Sequence, residues 1–358
     1  MQIDFKNFDI KNILPRTEFE KKVLQFLQDW FSHSETVSVQ TSGSTGIPKV
    51  FEIEKKRMLN SAKMTCDFLG LKEGDTALLC LPVQYISGKM MLVRAIERKL
   101  KIIISVPSSA PEISQNIDFC AMTPLQVQNS LDKIHFIKNL IIGGAAVSEN
   151  LKSQLTSSIQ HPASNKIYET YGMSETLSHI ALKQISPIQE EYFTILNDVE
   201  ISVDERNCLK IFAPKLNPEI LQTNDIVELM HFMNSVRKPS VYAQCDKKQF
   251  KFLGRFDNVI NSGGVKIFAE ELENLVKKHI DRDLVFLGKP DETLGEKLIL
   301  VIEDASTPLS MTEIKSQISN LKFPSKFHIP KEILFLEKFP RAENGKVLRK
   351  EILKFLTD

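Results

Sequence analysis

Thr41-Ser42-Gly43-Ser44-Thr45-Gly46-Ile47-Pro48-Lys49 is the stretch on which the reading of this chain turns. Four hydroxyls, two glycines and one lysine crowd into a single turn between the alternating apolar segments 36–40 and 50–53. A polyphosphate spreads its charge over oxygens that no one side chain covers, and glycine-freed backbone N–H groups, hydroxyl donors and an ammonium together meet that need. A plain Ser/Gly linker between two strands is the competing reading. Against it stands the fixed ending Gly-x-Pro-Lys, in which proline stiffens the exit and lysine supplies charge. The run lacks the spacing of a Walker A loop, which argues against a P-loop NTPase or kinase fold.

With 358 residues, 42% of them hydrophobic, the chain is long enough for a sizeable core and two domains. Its 46 basic and 45 acidic residues leave a net charge of +1, so no global basic field selects nucleic acid or anionic lipid. Any anionic ligand must be caught locally. The five cysteines, Cys66, Cys80, Cys120, Cys208 and Cys245, have no Cys-x-x-Cys spacing and read as buried thiols of a reduced compartment. The seven histidines show no metal-site spacing, so structural or solvated roles are expected for them. No signal peptide opens the chain and no apolar run approaches the ~18 residues of a membrane span, so a soluble cytoplasmic protein without membrane insertion is expected.

Strand-like and helix-like segments alternate: helix 55–69 closed by Gly70, strand 76–81, helix 88–98, strand 101–106, helix 123–131, strand 139–142, helix 148–159 and strand 166–170. That alternation predicts an α/β fold with a parallel sheet covered on both faces. After Glu191 the pattern changes to a hairpin (199–203 with 208–213) and strands 226–232 and 249–253. From about Asn258 a smaller α+β unit follows, with helices near 270–279 and 312–321, strands at 284–287, 297–303 and 333–336, and a final helix.

Other segments that carry chemistry fall in loops. Gly143-Gly144-Ala145 ends a strand, where a flat ring can lie on bare backbone, although such turns also use glycine for purely steric reasons. Tyr171-Gly172-Met173-Ser174-Glu175 offers an aromatic face, a hydroxyl and a carboxylate; Glu175 reads either as an oxygen ligand for Mg²⁺ or as a helix N-terminal acid. Asp225, in Thr223-Asn224-Asp225, suits a ribose diol or an Asx turn. Gly254-Arg255-Phe256-Asp257 and Ser262-Gly263-Gly264 lie where a hinge is expected. Gly345-Lys346 puts a lysine on a late turn, where most lysines are simply solvated.

The order of these segments resembles the adenylate-forming superfamily, which includes acyl-CoA synthetases, luciferases and amino-acid adenylation domains, over nearly the whole chain from Val39 onward. The resemblance implies the adenylate-forming ligase fold: a large N-terminal α/β AMP-binding domain (1–256), short at its start because only 40 residues precede the loop, and a small mobile C-terminal domain (257–358). It implies ATP, Mg²⁺ and CoA. Thr41, Ser42, Gly43, Ser44, Thr45, Gly46 and Lys49 would hold the β- and γ-phosphates. Gly143 to Ala145 and Tyr171, with Gly172, would enclose adenine, Ser174 would touch the α-phosphate and Glu175 would ligate Mg²⁺. Asp225 and Arg255 would grip the ribose, Asp257 would be the hinge, and Gly263-Gly264 would line the thiol's path. Lys346 would bridge the substrate carboxylate and the α-phosphate, making Lys346, Glu175 and Lys49 the catalytic set. Asn224 stands where the family has glycine and tolerates the same turn.

Leu81-Pro82-Val83-Gln84-Tyr85-Ile86-Ser87-Gly88, with Arg94 beyond it, resembles the acyl-pocket segment of o-succinylbenzoate-CoA ligases, with Tyr85 where histidine is usual. Arg94 either reads a second substrate carboxylate or snorkels from an amphipathic helix. The expectation is an ATP-dependent acid-thiol ligase making o-succinylbenzoyl-CoA in menaquinone biosynthesis. The alternatives are a ligase for another aryl or fatty acid, with CoA or a carrier protein as acceptor, and a non-catalytic nucleotide-binding descendant. The sequence is silent on oligomeric state.

Overall fold

The structure is a computed structural model that describes residues 1–40, 50–157, 165–230, 249–303, 311–341 and 347–356. Its strands are β1 (Gln2–Asp4), β2 (Thr36–Gln40), β3 (Val50–Glu54), β4 (Thr76–Leu79), β5 (Lys101–Ile104), β6 (Ile117–Met122), β7 (Ile137–Ile142), β8 (Lys166–Gly172), β9 (His179–Ser186), β10 (Phe193–Ile195), β11 (Glu200–Val203), β12 (Cys208–Ala213), β13 (Asn217–Leu229), β14 (Gln249–Arg255), β15 (Val259–Ser262), β16 (Val265–Phe268), β17 (Leu284–Asp291), β18 (Gly295–Glu303) and β19 (Glu332–Leu336). The helices are α1 (Glu18–Trp30), α2 (Lys55–Leu69), α3 (Ile86–Arg98), α4 (Pro124–Gln128), α5 (Glu149–Ser157), α6 (Ala269–Lys277), α7 (Met311–Ser319) and α8 (Arg349–Phe355).

The sequences Thr-Ala-Leu-Leu, Lys-Ile-Ile-Ile and Ile-Asp-Phe-Cys-Ala-Met are apolar nearly throughout, as strands buried on both faces must be. They form, in the order β5-β4-β6-β7-β8, the parallel part of a twelve-stranded sheet among the described residues. Alternate residues feed two cores. Ala77, Leu79, Phe119 and Ala121 join Val23, Met58, Ala62 and Met90 from α1, α2 and α3, while Leu78, Cys120 and Met122 join Val127, Leu151 and Leu155 from α4 and α5. Helices therefore cover both faces, as the alternation predicts.

The sheet is mixed, and its antiparallel part begins at β9, ahead of the change expected after Glu191. Only six residues separate β8 from β9, too few for the crossover that parallel pairing requires, so the chain turns back antiparallel. Strands β10, β14, β13, β12 and β11 continue that antiparallel half, with the expected hairpin at β11-β12. The N-terminal β1 closes the other edge against β5. Helix 123–131 is shorter than expected, ending at Gln128 before a 3₁₀ segment Leu131–Phe136.

Segments 36–40 and 50–53 pair antiparallel as β2 and β3, so the phosphate-loop candidate connects two hydrogen-bonded strands. The loop itself, residues 41–49, lies outside the described residues, as do Lys346 and Cys245. Cys66, Cys80, Cys120 and Cys208 are buried free thiols.

A 3₁₀ turn, Phe256–Asn258, leads from β14 into a second, five-stranded sheet. There β15 and β16 form a hairpin through Gly263 and Gly264, both at positive φ (58° and 80°), the two-residue geometry that glycine adopts without strain. Helices α6 and α7 pack on one face of this sheet, and α8 on the other. Among the described residues no helix is long and apolar enough to cross a membrane.

Candidate active site

Adjacent parallel strands β7 and β8 carry Gly143 and Tyr171 at their carboxyl ends, the position at which open α/β sheets bind ligands. Gly144 and Ala145 are exposed. The loop they belong to is tied down behind: Val147 N–H donates to Glu169 Oε1 at 3.1 Å. Glu169 is buried beside Lys183 (3.0 Å) and Lys152 (3.4 Å). Burial alone would raise its pKa; the two ammonium groups and the Val147 N–H outweigh that and hold the carboxylate below its ordinary range.

Tyr171 packs edge-on against Phe250, ring centres 5.0 Å apart, and its hydroxyl donates to Asp225 Oδ2 at 2.6 Å. Burial, then the Asp225 charge, push the phenol far above its ordinary range, so it stays a neutral donor. Asp225 and Arg255 face each other across β13 and β14, their nearest charged atoms 3.8 Å apart. Arg255 also reaches Asp257 at 3.1 Å, and the Asn224 amide approaches both Asp257 oxygens at 3.4 Å. Arg206, which sequence reading missed, donates to Asn224 Oδ1 at 3.1 Å while pairing with Asp204. Tyr171, Asn224, Asp225, Arg255 and Asp257 thus form one connected polar cluster.

Ser174 and Glu175 lie exposed on the 3₁₀ turn Ser174–Thr176 directly after Tyr171-Gly172-Met173. The Glu175 carbonyl accepts from Asn217 at 3.2 Å, which anchors the turn to β13 and leaves the carboxylate outward.

Tyr85 precedes α3 and bridges in parallel to Gln40, the residue just before the phosphate-loop candidate. Ser87 is exposed. Gly88 has a structural reason: a Cβ there would lie 2.3 Å from the Pro82 carbonyl oxygen, so only glycine lets α3 start where it does. Arg94 does not snorkel. It is 2% exposed, donates to Ser178 Oγ at 2.7 Å, and makes no ion pair among the described residues, while its Nε has no partner there. Burial lowers its pKa to about 10, which still leaves the guanidinium charged at neutral pH.

A backbone turn, an aromatic ring and an ion pair thus lie together at the carboxyl edge of the α/β sheet, where folds of this class bind their ligands. The profile of the AMP-binding enzyme family matches residues 3–203. The chain belongs to that family, as an adenylate-forming acid–CoA ligase. It is 24% identical to the 2-succinylbenzoate–CoA ligase of Listeria monocytogenes over 97% of this chain and 79% of that one. Among solved structures it resembles an acyl-CoA synthetase (AMP-forming)/AMP-acid ligase II-like protein of Dyadobacter fermentans, 31% identical, with TM-score 0.62 over 98% of this chain and 97% of the other. The o-succinylbenzoate-CoA synthetase of Bacillus subtilis in complex with ATP and magnesium shares the fold, with TM-score 0.67, 19% identity, and coverage of 88% and 69%.

Proposed function

We propose that this enzyme adenylates o-succinylbenzoate with ATP and passes the acyl group to CoA. The observation that carries the substrate reading is Arg94, a buried guanidinium with no carboxylate beside it among the described residues. An unpaired charge held in the interior is costly, and an anion delivered by the substrate removes that cost. The second carboxylate of o-succinylbenzoate, the one not activated, is such an anion, and relatives bearing the 2-succinylbenzoate–CoA ligase name support the choice.

In the first half-reaction an oxygen of one substrate carboxylate bonds to the α-phosphorus of ATP, and the bond from that phosphorus to the bridging oxygen breaks, releasing pyrophosphate. The nucleophile is already ionised at pH 7, so positioning and charge neutralisation carry the rate. Thr41 to Gly46 and Lys49 would hold the departing pyrophosphate, Gly143 to Ala145 and Tyr171 the adenine, and Asp225 with Arg255 the ribose. Lys346 would bridge the reacting groups. In the second half-reaction the CoA thiol attacks the acyl carbon and AMP leaves, after residues 257–358 turn about Asp257 to bring Gly263-Gly264 to the site.

Magnesium fits the donor chemistry. Glu175 offers hard, exposed oxygens, and no cluster of three or more His, Cys, Asp or Glu side chains among the described residues would hold a metal alone, so nucleotide oxygens and water would complete the shell. Bound there, the ion would neutralise phosphate charge. Exchange of labelled pyrophosphate into ATP, measured across a panel of aromatic and aliphatic acids, tests the reading: o-succinylbenzoate is expected to drive it best, and a simple aryl or fatty acid doing better would reassign the substrate.

A further inference from the structure

The Arg94 guanidinium ends a one-way hydrogen-bond chain that starts at a helix backbone. Thr65, on α2, donates its only hydroxyl hydrogen to the Ser61 carbonyl at 3.2 Å. With the hydrogen placed there, its oxygen, 3.0 Å from His179 Nε2, serves as the acceptor and Nε2 carries the proton. Burial, and then the charge of Arg94, hold His179 well below its ordinary pKa, so the ring is neutral and Nδ1 is a bare acceptor. Ser178 Oγ sits 3.3 Å from Nδ1 and 2.7 Å from Arg94 Nη2. The guanidinium can only donate, so the Ser178 hydrogen points to Nδ1 and its lone pair to Arg94.

The chain adjoins the nucleotide side of the site. A Cβ on Gly172 would lie 2.4 Å from the Ser178 carbonyl oxygen and 2.5 Å from His179 Cα, so the strand bearing these residues runs hard against the Tyr171-Gly172 turn. Ser178 is the hydrogen-bonding oxygen that fixes the guanidinium, and its own rotamer is set by which His179 nitrogen is bare.

We propose that His179 is a positioning residue for substrate specificity: held as the Nε2–H tautomer by Thr65, it orients Ser178 and through it aims Arg94 at the second carboxylate of the acid. This rests on the reading of Arg94 given above. A neutral imidazole suits the task, because an imidazolium would repel the guanidinium and could not accept from Ser178.

The test is pyrophosphate exchange with His179→Phe, which removes both nitrogens, His179→Asn, whose amide oxygen can replace Nδ1 as acceptor, and the milder Ser178→Ala. His179→Phe and Ser178→Ala are expected to raise KM for o-succinylbenzoate more than about tenfold, with kcat and KM for ATP within about twofold, the size of a lost hydrogen bond to a charged group. His179→Asn is expected to recover most of that loss. An unchanged KM for o-succinylbenzoate, an equal rise in KM for ATP, or no difference between Asn and Phe at position 179 overturns the proposal. If wild-type enzyme prefers acids without a second carboxylate, the Arg94 reading fails and this inference falls with it. If wild type prefers o-succinylbenzoate and the variants keep that preference, only the His179 inference fails.

Discussion

Arg94 and Tyr171 are the side chains on which the substrate and nucleotide readings rest. Removing the guanidinium by Arg94→Ala is expected to raise KM for o-succinylbenzoate by the ~2 to 5 kcal/mol of a lost buried charge pair, and KM for analogues lacking the second, non-reacting carboxylate far less. Equal effects on both acids would take Arg94 out of the acyl pocket. Tyr171→Phe keeps the ring packed on Phe250 and deletes only the hydroxyl bonded to Asp225. Freed of that bond, Asp225 is less well oriented for a ribose diol, and KM for ATP should rise by the ~1.5 to 3 kcal/mol of a hydrogen bond to a charged group. Initial-rate kinetics with ATP varied checks this, and an unchanged KM would mean that the bond serves only folding. Sequence reading singled out both residues. The surroundings of Arg94 escaped it, because Thr65, Arg94 and the adjacent pair Ser178-His179 are far apart in the chain and only the stacking of α2, α3 and the start of β9 brings them together.

Among the elements, α1 shows a signal that the sequence carried and the reading passed over. Thr17 accepts from the Glu20 N–H at 3.1 Å while Glu20 caps the Thr17 N–H at 3.1 Å, the reciprocal pair written as Thr-x-x-Glu ahead of an apolar stripe. Thr17→Ala should cost about 1 kcal/mol of stability, read as a lowered denaturation midpoint without loss of specific activity. The β8–α5–β9 junction carries more. Glu169→Gln leaves the half-buried Lys183 without its counter-charge, while Lys152 keeps Glu149 at 2.9 Å, and this should cost up to roughly 3 kcal/mol at neutral pH. Because the folded chain holds Glu169 below its ordinary value of 4.5, the contribution is complete above about pH 5 and is lost as pH falls through the folded value. The stability gap between wild type and Glu169→Gln should therefore close on acidification, as followed by chemical denaturation at stepped pH. A gap that stays constant would assign the loss to packing. No spacing rule would have found this network, since its members lie on three elements.

For the whole molecule, the α/β class and the covered parallel strands were legible because strands buried on both faces leave continuous apolar runs. The antiparallel half was less so: β9 and β10 mix polar and apolar residues, and only the shortness of the β8–β9 connection marked the reversal. The order of the loop motifs pointed to the family, which covers 3–203 of the chain by profile. The choice of acid depends on walls that only tertiary packing assembles, so in the sequence the proposed substrate rested on the motif at 81–88 and on Arg94. The second sheet, joined through Phe256–Asn258, is proposed to carry Lys346 into the site for adenylation and out of it afterwards. Lys346→Ala should then abolish acyl-adenylate formation yet still transfer a supplied acyl adenylate to CoA, and equal loss of both steps would contradict the two-position picture. The measurement that bears most directly on the central claim is acid-dependent exchange of labelled pyrophosphate into ATP by the wild-type enzyme. Rapid exchange with o-succinylbenzoate, falling sharply when the second, non-reacting carboxylate is absent, is the predicted result; no exchange with o-succinylbenzoate or any other acid would contradict it.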